Sequence, residues 1–134
     1  MTRRTRHILT AVAGLAILAI AGMIWFRPRC QPETCGYYVG SEIRNLIAWQ
    51  ESHRAEHGVY ATSYAELGVE PPAPPVRIEF AHADTAGWVA RGTHDELEGM
   101  SCVAWMGTVP SVPVTDQFGD VAREPGRSYC DFST

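Results

Sequence analysis

The stretch YYVGSEIRNLIAWQESHRAEHG, Tyr37 to Gly58, decides the fold. Val39, Ile43, Leu46, Ile47 and Trp49 recur at helical spacing and make one broad apolar stripe, while Glu42, Arg44, Asn45 and Glu51 point away from it. Such a stripe needs a second element to bury it. Ser41 is a candidate N-cap, and a start several residues earlier is the alternative. Gly58 ends the helix: Arg54 and His57 suit the negative end of the helix dipole, and glycine suits the left-handed position beyond it.

Downstream, Ser63-Tyr64-Ala65-Glu66 has the spacing of a capping box, and Leu67-Gly68 closes a one-turn helix. Pro71 to Pro75 reads as a stiff extended connector. Three β segments follow. Val76 to His82 alternates Val76, Ile78 and Phe80 with Arg77 and Glu79; Gly87 to Thr93 contains Trp88, Val89 and Arg91; Ser101 to Met106 contains Val103 and Trp105. The turns between them are short and polar, as antiparallel hairpins require. Beyond Gly107 the chain is rich in Pro, Gly and Asp and reads as irregular, returning to the sheet near Tyr129-Cys130. The expected fold is α+β: one amphipathic helix, spanning a domain of residues 37–134 with a three- to four-stranded antiparallel sheet.

Upstream, Ile8 to Phe26 is a single apolar run without a charge, about 28 Å long as a helix and so able to cross the hydrocarbon core of a bilayer. Arg3, Arg4 and Arg6 precede it and Arg27 and Arg29 follow, an excess that places the N-terminus in the cytoplasm and the rest outside. Residues 1–27 are thus expected to be a basic tip and membrane anchor, and residues 28–36 a linker in which Pro28 and Pro32 bracket Cys30 and interrupt any continuous helix. A cleaved secretory signal is the competing reading, with Ala19-Ile20-Ala21 ahead of Gly22 as its small-x-small site. Against it, Met23-Ile24-Trp25-Phe26 carries the apolar run past that site. Both readings export the same domain.

Eight arginines and 15 acids follow the anchor, leaving the exported part near −7. That balance argues against a nucleic-acid partner, which needs clustered basic charge. All four cysteines, Cys30, Cys35, Cys102 and Cys130, fall on the exported side, where disulfides persist. Of the three connectivities open to them, proximity in sequence favours Cys30–Cys35 with Cys102–Cys130. No pair has CxxC spacing, so redox catalysis and a zinc ribbon find little support in the spacing.

The passage Ala48 to Tyr60, followed by Ser63 to Gly68, resembles the helix-to-loop segment of type IV pilin-like proteins and pseudopilins, in which a charged helix end runs into Gly-x-Tyr and a short Ser-x-x-Glu-Leu turn. Gly87 to His94 with Gly99 to Gly107 is similar to their strand pair bearing the first cysteine, and Tyr129-Cys130-Asp131 to the closing cysteine of their C-terminal disulfide loop. The likeness covers roughly residues 37 to 131. The cleavable leader and the Phe-Thr-Leu-Ile-Glu head of a prepilin helix are not seen in this sequence, and its apolar run holds no acid. The resemblance therefore implies a pilin-like domain on an ordinary anchor, with two roles open to it: an accessory of a type IV pilus or type II secretion-like apparatus, or a stand-alone descendant that kept the fold.

Three sets of side chains are candidates for chemistry. His53-Arg54-Ala55-Glu56-His57 fits H-x-x-E-H, two histidines on one helix face with a glutamate beside them, the pattern of an inverted zinc-protease motif. Its competitor is structural: His57 suits the last helical turn, and His53 holds a position where the resembling family has an aromatic ring packed on the sheet. Asp116, Asp120 and Glu124 are candidate oxygen ligands for Ca²⁺, although their spacing does not match an EF-hand loop. Tyr37, Tyr38 and Trp105 are candidates for a partner surface, whereas Trp49 and Trp88 are expected in the core. No nucleophile, base and orienter stand together in sequence. The expectation is thus a structural or interaction protein without cofactor or metal, bound to other envelope proteins and to the membrane. The alternatives are a small zinc hydrolase on His53, Glu56 and His57, and an envelope ligand-binding module using exposed aromatic residues.

Overall fold

The computed structural model describes residues 30–132. The expected anchor, Ile8 to Phe26, lies outside them. Among the described residues no helix is long and apolar enough to cross a membrane.

Helix α1 runs Pro32–His57, and its start corrects the linker expected over 28–36. Pro32 is the first helical residue, where a missing N–H leaves no bond unmade and the fixed φ already matches the helix. Gln31 is the N-cap, in extended conformation and without a side-chain cap bond. The buried stripe runs Cys35, Val39, Ile43, Leu46, Ile47 and Gln50, with Gly36 and Gly40 beside it. Trp49, expected in the core, sits half-buried at its margin, and the polar Gln50 takes the interior place. Gly58 adopts φ 78° and donates its N–H to the Arg54 carbonyl, the expected stop.

A single turn, α2 (Tyr64–Leu67), follows. The Ser63 hydroxyl accepts the Glu66 N–H, and the Glu66 carboxylate reaches back to Thr62, accepting from its N–H at 2.7 Å and its hydroxyl at 3.0 Å. Those bonds hold Glu66 below the usual carboxylate range, the Thr62 N–H contributing most.

The sheet is an antiparallel meander in the order β1-β2-β3-β4: Val76–Ala83, Gly87–His94, Cys102–Gly107 and Tyr129–Cys130. Val76 pairs with His94, Ala90 with Ala104, and Cys102 with Cys130. A bulge between Phe80 and His82 shifts the register of the edge strand. One face of the sheet receives α1 and holds the core, in which Val39, Ile43, Leu46, Ile78, Trp88, Ala90, Cys102 and Ala104 meet. Strand alternation puts Val89, Arg91, Val103 and Trp105 on the other face. The long C-terminal loop folds back there: Arg91 is ion-paired with Asp116, and the Trp105 indole N–H donates to the Ala122 carbonyl at 2.6 Å. The protein is therefore an α+β domain, one long helix on a four-stranded antiparallel sheet.

Candidate functional site

The histidine pair occupies the last turn of α1. The His53 and His57 rings stack with centroids 4.2 Å apart and planes 16° off parallel, and His57 Nδ1 lies 3.1 Å from the His53 carbonyl. His53 thus packs on its neighbour. Glu56 is exposed, and Glu66, across a shallow hollow, is already engaged by Thr62. Among the described residues, these side chains do not gather as a set of three ligand atoms.

The three acids proposed for Ca²⁺ are dispersed by other partners. Asp116 is paired with Arg91, whose hydrogen bonds hold its carboxyl below the usual range. Glu124 accepts from Arg127 at 2.8 Å. Asp120 contributes its backbone N–H to the Thr115 hydroxyl. The carboxylate that organises this loop is Asp131. It is 5% exposed and accepts from the backbone N–H groups of Ser101, Gln117 and Phe118 at 2.8, 3.1 and 3.0 Å. Burial works to raise its pKa, but those bonds and one from the Thr115 side chain prevail and hold it below the usual range.

The aromatic candidates divide. Trp105 is half-buried with its N–H engaged by Ala122, so it fastens the C-terminal loop. Tyr37 and Tyr38 are exposed at 65% and 56%, edge to face with each other near the start of α1. Tyr37 also lies under the Arg44 guanidinium, 5.8 Å from the ring centre.

Tyr38 borders a cavity of about 460 Å³ between the first turns of α1, the Pro72–Val76 connector and the end of β2. The structure pairs Cys30 with Cys35 and Cys102 with Cys130, the pairing that sequence proximity favoured. The first of these bridges lines the cavity, with Glu42, His94 and Glu96 around it. His94, the last residue of β2, is 6% exposed, and its Nδ1 accepts the Glu96 N–H at 3.1 Å. The Glu96 carboxylate in turn accepts the Cys30 N–H at 2.7 Å. Both cysteine sulfurs and one ring nitrogen of His94 lie within 4.8 Å of one another. Sequence spacing missed this cluster because His94 comes from the end of β2, far along the chain from Cys30 and Cys35. Only the pairing of His94 with Val76, beside the proline connector, would have pointed to it.

No protein-family model matches the chain, and no curated protein matches it either.

Proposed function

We infer that this protein is an exported, membrane-anchored domain of pilin-like build that works through contacts with other envelope proteins, as an accessory to a type IV pilus or type II secretion-like assembly. The observation that carries this reading is the seating of a 26-residue helix across an antiparallel meander whose last strand is tied to β3 by Cys102–Cys130. Helix, Gly-x-Tyr passage, one-turn helix, strand pair and closing cysteine occur in the order that the resemblance implies. The apolar run Ile8 to Phe26 supplies the anchor on this reading, and two disulfides suit a compartment where thiols stay oxidised.

Crosslinking in the native envelope, followed by mass spectrometry of the recovered partners, tests it. Recovery of pilus or secretion subunits supports the assignment. Finding the protein in the cytosolic fraction with four free thiols would end it.

A further inference from the structure

The Cys30–Cys35 bridge has a histidine beside both of its sulfurs. Cys35 is wholly buried in the first turn of α1, where the helix dipole favours negative charge. Cys30, just ahead of the N-cap, is half-buried. His94 stands beside both sulfurs, and the cavity bounded by Tyr38 and Pro72 opens onto them. Because Nδ1 accepts the Glu96 N–H, a neutral His94 ring carries its proton on Nε2. Cys102–Cys130, by contrast, joins two paired strands. The two bridges also differ in loop length, with sequence separations of 5 and 28, so the first constrains the unfolded chain less.

We propose that Cys30–Cys35 is an exchange-active disulfide, which accepts two electrons from a dithiol on an exported polypeptide. This rests on the export of the domain but not on its pilin-like build. A partner thiol loses its proton to solvent, and its thiolate attacks the accessible Cys30 Sγ. A bond forms between the partner sulfur and Cys30, the Cys30–Cys35 bond breaks, and the electron pair leaves on Cys35 Sγ. The first helical turn and the adjacent His94 stabilise that thiolate, which then takes a proton from solvent. Exchange is faster when the departing sulfur is the better-stabilised thiolate, and a helix N-terminus is a setting that lowers a thiol pKa. The partner's second thiolate attacks the partner sulfur of the mixed disulfide and releases Cys30. The partner ends as a disulfide and this chain as a dithiol, with two electrons and two protons transferred.

The test uses the full oxidised chain, equilibrated with graded ratios of reduced to oxidised dithiothreitol, quenched by alkylation and read by peptide mass spectrometry. Cys30–Cys35 is expected to open at a ratio at least tenfold lower than Cys102–Cys130, with the circular dichroism of the folded domain retained. Brief exposure to reduced glutathione is expected to leave the mixed disulfide on Cys30, and His94→Gln to slow that reaction tenfold or more. The proposal is overturned if both bridges open together, if glutathione is found on Cys35, or if folded His94→Gln reacts at the original rate. Should His94→Gln fail to fold, the order of opening and the site of glutathione in the unaltered chain still decide.

Discussion

Gln50 and Ala61 hold each other through both ends of an amide: Gln50 Nε2 donates to the Ala61 carbonyl at 2.8 Å, and the Ala61 N–H donates to Gln50 Oε1 at 2.9 Å. Both residues are wholly buried. The clamp folds the chain back along α1 just past the Gly58 stop and sets Tyr60 in the core. Buried backbone groups stripped of partners cost about 1–3 kcal/mol each. Gln50→Ala removes two partners at once, so a loss of about 2–4 kcal/mol is expected in urea denaturation. A variant as stable as the parent would show that water replaces the amide, and that the clamp is dispensable.

Gly92 lies where α1 packs on the sheet. A Cβ added there would lie 2.7 Å from both Ile78 Cδ1 and Val39 Cγ1, and 3.2 Å from Ile43 Cγ1. All three belong to packed side chains of the core. Overpacking of this kind typically destabilises by about 1–3 kcal/mol. Gly92→Ala is therefore expected to lower the denaturation midpoint without changing the slope, whereas Gly99→Ala, with open space around it but φ 75°, should owe any loss to backbone strain alone. Equal stability of Gly92→Ala and the parent would mean that helix and sheet can part slightly at no cost.

Asp131 contributes to the acid limb of stability. Its carboxylate is held below the usual range by the Ser101, Gln117 and Phe118 N–H groups and by Thr115, despite the opposing effect of burial. A depressed pKa in the folded state contributes stability that is complete above the unfolded value near 4, and that is lost as pH falls through the folded value. Asp116 and Asp84 are lowered too, by Arg91 and by the Gly87 and Ala86 N–H groups respectively, and they act in the same direction. Stability should thus decline from about pH 4 downward. Asp131→Asn, which keeps the shape but loses the charge and one acceptor, is expected to cost about 2 kcal/mol at neutral pH and to flatten that decline. An unchanged acid slope in the variant would assign the decline to the other carboxylates.

The strands were legible because their signals are local. Alternation and polar turns placed all three long strands to within a residue or so of Val76–Ala83, Gly87–His94 and Cys102–Gly107. The start of α1 is earlier than the apolar stripe alone marks, because proline breaks a helix only from within; at Pro32 it begins one. Trp49 and Gln50 were ordered by hydrophobicity, whereas Gln50 gains the interior place through a partner, Ala61, which no helical period reveals.

The sites were less legible, for a related reason. H-x-x-E-H is a local pattern that places two rings together, but it says nothing of a third ligand. The groups that do converge come from separate parts of the chain: His94 from the end of β2 onto Cys30 and Cys35, and Asp131 from the C-terminus onto the 115–118 turn. Their assembly depends on strand register and on the return of the C-terminal segment to Ser101, both consequences of tertiary pairing.

Metal binding separates the local patterns from the structure. A structural or catalytic zinc needs at least three protein ligands, and the His53–His57 stack offers two, with Glu66 held by Thr62. Ca²⁺ needs six to eight oxygens, and Asp116 and Glu124 would have to leave Arg91 and Arg127 to supply any. Calorimetric titration with Zn²⁺ is therefore expected to show no micromolar binding, and added Ca²⁺ to leave the melting temperature unchanged. Micromolar zinc affinity abolished by His53→Ala would restore the hydrolase reading. A melting temperature raised by Ca²⁺, and no longer raised in Asp116→Asn, would restore an ion to the C-terminal loop.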